Sequence, residues 1–195
     1  MFLGPDRSTV LSRLSRTEAV ACSGRIAEIY ALALGSQAEP AEHFADTFRT
    51  CVQEYDGATV LAARPGGGEG PIVGFLYGFD LQLKHWWPQQ IEGALHRRGH
   101  AKWLEDAFEL VELQVHPEEQ ARGIGTALLN RQLADMPHRR AVLSTDPDGR
   151  ARALYRRLGF VDLAPDFTYH GTSYRAALMG WDRHDPVASS PSSSA

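Results

Sequence analysis

A strand that runs into a glycine loop and then a helix is the feature that most constrains this 195-residue chain. Leu110 to Val115 is an apolar run of the kind that lies inside a sheet, and Pro117 ends it because proline cannot donate to a strand ladder. Gly123 and Gly125 then fall at the start of a helical stretch. Unpaired N–H groups and the positive end of a helix dipole hold phosphates at such positions. The segment therefore predicts a phosphate or pyrophosphate site.

The spacing of the glycines distinguishes between the known types of phosphate-binding loop. A Walker loop needs Gly-Lys followed by Ser or Thr, and the sequence has no such tripeptide. A dinucleotide fingerprint needs its first glycine directly after the strand, whereas the residues from His116 to Arg122 intervene here. Asp146 still stands about twenty residues further on, where a ribose-binding acid of that fold would lie. That residue keeps the dinucleotide alternative open.

Two linked motifs resemble those of the GNAT family of N-acetyltransferases. Gln120-x-x-Gly123-x-Gly125 matches the family's Gln/Arg-x-x-Gly-x-Gly/Ala signature, which binds the pyrophosphate of acetyl-CoA. The lead-in that starts at Glu109 is similar to the family's fourth strand, and the segment Ala151–Phe160 is similar to its second motif, a helix followed by a strand. The order and spacing of both motifs agree with the family over about fifty residues.

The remaining periodicity predicts an α/β fold. Residues 7–14 predict a first strand, and a capping box at Ser15 and Glu18 predicts a helix that continues to about Leu34. A second helix begins at Pro40. Together with the resemblance, these elements predict one domain over residues 1–184, with a mixed, mostly antiparallel central sheet and helices on both faces. The serine-rich segment 185–195 predicts a disordered tail.

The composition of the chain indicates which classes of partner it binds. A formal net charge of −4 gives no basic field for nucleic acid, and no apolar run approaches the length of a membrane span. Cys22 and Cys51 lack metal-ligand spacing and fall on apolar helix stripes, which favours buried thiols. We therefore expect a soluble, cytoplasmic protein that binds neither nucleic acid nor a membrane. A homodimer is left open.

The resemblance implies acetyl-CoA as co-substrate and no metal. Backbone N–H groups from Arg122 to Thr126 take the pyrophosphate, and the strand before the loop pairs with the pantetheine arm. The Val115 N–H donates to the thioester oxygen. The residues that the resemblance assigns to the coenzyme are Leu113, Gln114, Val115, Gln120, Ala121, Arg122, Gly123, Ile124, Gly125, Thr126 and Asp148. Many family members carry asparagine in place of Asp148, and a carboxylate can only accept hydrogen bonds there.

Four residues are candidates for proton transfer, three as bases and one as an acid. Glu109 occupies the position of a catalytic glutamate in several branches of the family, and Glu112 is a second candidate base if a strand bulge turns it toward the substrate. The alternative for both is a structural ion pair. His116 is a third possible base or a solvated loop histidine. Tyr155 stands where the family carries a tyrosine that protonates the departing thiolate, and the alternative is a core aromatic on the helix stripe.

The acceptor is predicted less closely than the coenzyme. The segment 83–106 is long for a connection between strands and indicates a binding loop or lid, with Trp86, Trp87 and Trp103 as candidate pocket walls. A helical cover over the core is the alternative, and 166–173 is a second candidate wall. The resemblance implies direct acetyl transfer to a primary amine of a small molecule, peptide or protein. The non-enzymatic alternative is an acyl-CoA-binding regulatory domain without productive catalysis.

Overall fold

A computed structural model describes residues 9–184 of the chain. The predicted tail at 185–195 lies outside these residues, as do the first two residues of the predicted strand at 7–14. None of the helices between residues 9 and 184 combines the length and apolar character that a membrane crossing requires.

The helices and strands are interspersed along the chain. The helices are α1 Arg16–Ala21, α2 Ser23–Leu34, α3 Ala41–Glu54, α4 Trp86–Arg97, α5 Ile124–Asp135 and α6 Arg150–Arg157. The strands are β1 Val10–Leu14, β2 Thr59–Arg64, β3 Gly74–Asp80, β4 Ala107–Val115, β5 Arg140–Thr145, β6 Val161–Thr168 and β7 Arg175–Asp182. The strand order is β1-β2-β3-β4-β5-β7-β6. The predicted fold class, a mostly antiparallel sheet flanked by helices, is confirmed.

The predicted first helix is two helices in the structure. Its start is as expected, because the Ser15 N–H donates to the Glu18 carboxylate at 2.8 Å and the Ser15 side chain accepts from the Glu18 N–H. The break falls at Cys22, whose φ and ψ of −90° and 2° depart from helical values. A capping box fixes where a helix begins, but it carries no information on where the helix is interrupted.

The chain divides into two compact units. The first contains the residues up to Asp80 together with Leu110–Asp135. In it β1 pairs antiparallel with β2, and β2 with β3. The predicted apolar face of α3 is confirmed, since its aromatic residues lie in the core and the Phe48 ring meets Tyr77 edge-on at 4.9 Å. Cys51 is buried in the same core, as expected for a thiol on an apolar stripe.

The second unit contains Leu81–Glu109 and the residues from Met136 onward. Here the first part of β4 pairs parallel with β5, placing Glu109 opposite Val142, while β7 pairs antiparallel with both β5 and β6. Trp103 is 5% exposed, and a Cβ atom at Gly180 would lie only 2.6 Å from its ring. The prediction that Trp103 walls an acceptor pocket is therefore wrong, because this tryptophan fills the core.

Asp182 at the end of β7 forms ion pairs with two arginines. The Nε atoms of Arg139 and Arg140 each lie 3.0 Å from a carboxylate oxygen, and the His184 backbone N–H donates to Oδ1 at 3.0 Å. Burial alone raises the pKa of Asp182. The hydrogen bonds from Arg139, the His184 backbone and Arg140 outweigh that effect and lower the pKa to about 2. Asp182 therefore remains charged in its buried position.

Replacing this carboxylate provides a test of stability. Asp182→Asn should lower the free energy of unfolding by about 3 kcal/mol near neutral pH, because the Arg140 charge stays buried without its partner. Since the folded-state pKa of Asp182 is lowered, its contribution is present above about pH 4 and lost as the pH falls through about 2. Urea unfolding at several pH values should show the wild-type advantage shrinking in that window.

A matched control is available on α5. Asp135 forms an ion pair with Arg131, whose side chain is 54% exposed, so Asp135→Asn should cost less than about 1 kcal/mol. If the stability difference between wild type and Asp182→Asn stayed constant down to pH 2, the proposed role of the two arginines would be wrong.

Candidate active site

The last part of β4 leads directly into the predicted coenzyme loop. Residues 111–115 are all half-buried, so neither face of this stretch is fully packed in the core. The Gln120 side chain donates from Nε2 to the Val115 carbonyl at 3.0 Å and thereby ties the loop back to the end of the strand. His116 Nδ1 accepts the Glu118 N–H at 3.4 Å. The histidine therefore caps a short turn, and its role as a base stays a prediction.

The loop itself is exposed and carries two left-handed backbone conformations. Ala121 has a φ of 61° and Gly123 a φ of 82°. A left-handed alanine costs about 1–2 kcal/mol, and such strain is concentrated at ligand-binding loops. The first hydrogen bond of α5 runs from the Ala127 N–H to the Gly123 carbonyl at 2.9 Å. The N–H groups that precede Ala127 lie outside the helical ladder, as the sequence predicted for a pyrophosphate site.

A glycine in β3 allows the helix to start close to the sheet. A Cβ atom at Gly74 would lie 3.1 Å from Cγ2 of Ile124 and 3.3 Å from Cγ2 of Val115. Ile124 is 5% exposed and is the first residue of α5. The missing side chain at Gly74 thus lets Ile124 anchor the first turn of the helix against the strands of the first unit.

Glu109 is a buried carboxylate in the second unit. Its side chain is 6% exposed, and Oε2 has no hydrogen-bond partner within the described part of the chain. Burial raises the pKa of Glu109 from an ordinary value of 4.5 to about 8. The structural ion pair considered for Glu109 does not occur among residues 9–184. A carboxyl group with this pKa can exchange a proton near neutral pH.

Glu112 lies three residues further along β4, in the first unit. Its Oε2 accepts a hydrogen bond from Gln114 Nε2 at 2.8 Å. Burial raises the pKa of Glu112 to about 7, the Gln114 hydrogen bond opposes this shift, and the nearby Glu39 adds to it. Both predicted bases therefore have raised pKa values. Glu112 is the one that has a hydrogen-bond donor.

An aromatic cluster joins three segments of the second unit. The Tyr169 hydroxyl accepts the indole N–H of Trp87 at 2.9 Å and donates to Oγ of Ser144 at 2.9 Å. Trp86 stacks on the Tyr169 ring with centroids 5.9 Å apart and planes inclined by 4°, and Tyr174 lies 5.6 Å from the same ring. The sequence named Trp86, Trp87 and the segment 166–173 as separate candidate walls. It did not indicate that Tyr169 connects them.

The Tyr169 hydroxyl is electrostatically coupled to Glu109. Burial raises the pKa of Tyr169, its hydrogen bonds with Ser144 and Trp87 lower it, and the proximity of Tyr174 and Glu109 raises it further. Ser144 follows Val142 by two residues, and Val142 is the strand partner of Glu109. The side chains of Ser144 and Glu109 therefore lie on the same face of the sheet. The aromatic cluster and the buried carboxylate are neighbours.

Comparison with known proteins supports the GNAT resemblance. Residues 68–162 match the family model of the acetyltransferase (GNAT) domain. A GCN5-like protein acetyltransferase of Mycobacterium tuberculosis is 35% identical over 131 residues, or 63% of this chain and 64% of that relative. Residues 68–162 are therefore similar to the GNAT acetyltransferase domain. The resemblance read from Gln120, Gly123 and Gly125 is confirmed. The chain spans less than two thirds of the length of that relative.

The GNAT fold also recurs in solved structures of low sequence identity. The ribosomal-protein-S18-alanine N-acetyltransferase of Escherichia coli is 17% identical, with a TM-score of 0.58 over 90% of this chain and 94% of that one. The PaiA N-acetyltransferase of Thermoplasma acidophilum, in complex with coenzyme A, is 14% identical, with a TM-score of 0.57 over 90% and 99%. A Salmonella typhimurium protein with its cofactor acetyl-CoA is 16% identical, with a TM-score of 0.60 over 96% and 99%.

The remaining GNAT motif residues have mixed surroundings. Tyr155 on α6 is 6% exposed and packs against Phe160 with ring centroids 5.5 Å apart, as the core-aromatic alternative also expects. Asp148 is exposed, and its backbone N–H donates to Oδ1 of Asp146 at 2.9 Å. Asp146 therefore stabilises its own turn, and the dinucleotide alternative loses the residue that kept it open. The coenzyme role of Asp148 stays a prediction.

Other possible sites in the second unit are less informative. A cleft of about 420 Å³ lies at the carboxyl end of α4, lined in part by Arg97, Arg98, Asp166 and His170. It contains none of the predicted catalytic residues. Within residues 9–184, no three His, Cys, Asp or Glu side chains are placed to hold a metal ion together.

Ionisation of Glu109 should be visible in the stability of the protein. Because the folded-state pKa is raised from 4.5 to about 8, the stability linked to the neutral carboxyl is fully present below about pH 4.5. It is lost as the pH rises, and the loss is complete above about pH 8. Glu109→Gln should remove this contribution, whose slope reaches at most about 1.4 kcal/mol per pH unit. A slope from Glu112 remains between about pH 4.5 and 7, so the two proteins should differ most between about pH 7 and 8. Urea unfolding between pH 5 and 9 measures the free energy of unfolding of wild type and Glu109→Gln.

The control for this titration is an exposed glutamate next to the coenzyme loop. Glu118→Gln should keep the wild-type slope, since Glu118 is exposed. Equal slopes for wild type and Glu109→Gln would mean that Glu109 is already ionised near neutral pH in the folded protein.

Proposed function

We propose that this protein is an acetyl-CoA-dependent N-acetyltransferase that transfers the acetyl group directly to a primary amine of a small molecule, peptide or protein. The observation that carries the proposal is the buried carboxylate of Glu109, with an unpartnered oxygen and a pKa near 8, on the strand that leads into the GNAT loop. Similarity to the family alone is equally compatible with a regulatory domain that binds acyl-CoA. A group able to exchange a proton near neutral pH favours catalysis.

The co-substrate is supported by the loop and by the structural neighbours. The Salmonella protein holds acetyl-CoA and the Thermoplasma enzyme holds coenzyme A. In this chain the left-handed Ala121 and Gly123 turn the exposed loop into the start of α5, where backbone N–H groups favour a pyrophosphate. The half-buried strand residues from Leu113 to Val115 leave backbone available for the pantetheine arm.

The chemistry requires two protons to leave the acceptor nitrogen and one proton to be delivered to the sulfur, because an ammonium group becomes an amide with one N–H. Glu109 in its ionised form, whose population grows as the pH approaches 8, accepts a proton from the ammonium group of the acceptor. This frees the nitrogen lone pair to attack the acetyl carbonyl. The Val115 N–H donates to the carbonyl oxygen as negative charge develops there, a contact worth a few kcal/mol in other acyl transfers. Tyr155 returns a proton to the sulfur as the C–S bond breaks. The second proton of the nitrogen leaves as the C–S bond breaks and restores the Tyr155 hydroxyl, and Glu109 releases its proton to solvent. The products are an amide, coenzyme A and one proton.

Coenzyme binding is the first expected outcome. Calorimetric titration should show saturable one-site binding of acetyl-CoA and none of NAD. Gly123→Ala should weaken acetyl-CoA binding about fivefold or more, because its φ of 82° is a conformation that alanine adopts at a cost of about 1–2 kcal/mol.

Gly99 offers a matched control for this substitution. It has a φ of 75°, and like Gly123 it would place a new Cβ more than 4 Å from its neighbours. Gly99→Ala should therefore introduce similar strain without changing the acetyl-CoA affinity. Binding of NAD alone would contradict the proposed co-substrate.

The base is tested by a pair of substitutions. With an amine that serves as acceptor, Glu109→Gln should lower kcat by about 100-fold or more, the usual weight of a general base, while the Kd for acetyl-CoA stays unchanged. The wild-type kcat/KM should rise with pH to a plateau above about pH 8, and this limb should disappear in the variant. Glu112→Gln is the matched comparison. If Glu112→Gln alone removed the pH dependence, Glu112 would be the base.

A further inference from the structure

Three rings on the second unit form what we call the aromatic platform: Trp86, Tyr169 and Tyr174. Trp86 is 65% exposed and Tyr174 is 63% exposed, the largest values among the bulky hydrophobic residues in the described ranges. Exposed aromatic rings that lie together mark binding surfaces more often than isolated ones do. The platform lies where the start of α4 meets the turn between β6 and β7.

Tyr169 holds the platform in place. Its hydroxyl is fixed between the indole N–H of Trp87 and Oγ of Ser144, both at 2.9 Å, and its ring meets Phe167 edge-on at 4.9 Å. Trp86 lies nearly parallel to this ring, with the two ring centroids 5.9 Å apart. The high exposure of Trp86 means that much of the indole is still accessible to a ligand. A ring held flat by a fixed neighbour binds another ring with little loss of side-chain freedom.

The position of the platform indicates what it binds. Tyr169 is within electrostatic range of Glu109, and Ser144, its hydrogen-bond partner, shares a sheet face with Glu109. A molecule that brings an ammonium group to Glu109 can therefore place its remaining atoms near the rings. Planar groups stack on aromatic faces, and such pairs contribute beyond the area that they bury. An alkyl chain of the same size gains binding free energy only from the apolar area that it buries.

We propose that the acceptor is a small primary amine that carries an aromatic ring, and that this ring stacks on Trp86 and Tyr174 with Tyr169 as their support. This inference rests on the proposed function, because it assigns the amine of the acceptor to Glu109.

The test compares two amines that differ only in the ring. 2-Phenylethylamine and 2-cyclohexylethylamine are titrated into the protein in the presence of saturating coenzyme A, with calorimetry and tryptophan fluorescence as readouts. The aromatic amine should bind about five- to tenfold more tightly, as expected for one good stacking contact. Trp86→Leu and Tyr174→Leu should each reduce this preference, and the double variant should abolish it.

The control substitution lies at the opposite end of β6. Val161 is another exposed hydrophobic residue, and Thr168, which directly precedes Tyr169, lies seven positions further along the strand. Val161→Ala should keep the preference for the aromatic amine. Circular dichroism of every variant checks that it is folded. Equal affinities for the two amines, or a preference that survives the double variant, would overturn the platform.

Titration with acetyl-CoA, followed by turnover assays with the same two amines, separates the two proposals. Failure to bind acetyl-CoA contradicts the proposed function, whatever the amines do. If acetyl-CoA binds and both amines are acetylated with the same kcat/KM, the acetyltransferase proposal stands and the aromatic platform fails. Acetylation of lysine peptides with neither small amine bound would also overturn the platform.

Discussion

Removal of the Glu109 carboxylate from water is the constraint on which the rest of the proposed site depends. Burial favours the neutral form of a carboxyl group that has no partner charge, so the group stays protonated near neutral pH. Ionising it in place lowers the stability of the folded protein. Sheet pairing with Val142 keeps Glu109 in this position, and the strand then continues into the coenzyme loop. The same burial that is unfavourable for an ionised side chain gives the residue its useful proton affinity.

Asp182 and Glu109 show two ways to bury an acid in the second unit. Asp182 is surrounded by arginine side chains and an N–H group, so its pKa falls to about 2 and its charge is permanent. Among residues 9–184 Glu109 has no such donor at Oε2, and its pKa rises to about 8. The first arrangement suits a structural role because the charge does not respond to ordinary changes in pH. The second suits a residue that must gain and lose a proton repeatedly.

Local patterns predicted much of the fold, and contacts between distant segments explain what they missed. The capping box at Ser15 and the loop at Gly123 are short-range features, and both were confirmed as structure. The core position of Trp103 depends on a residue far along the chain, because its ring fills the space beside Gly180. Tyr169 could not be selected from the sequence, because its importance comes from contacts with residues 86, 87, 144 and 174. The catalytic roles themselves stay predictions.

The contact between Trp103 and Gly180 has a consequence for the history of this protein. The indole occupies the volume that a side chain at position 180 would need, because a Cβ there would lie 2.6 Å from the ring. A larger residue at 180 can therefore be accepted only after the tryptophan has been replaced by something smaller. Among descendants of a common ancestor, these two positions should change together, and the order of their changes should be fixed.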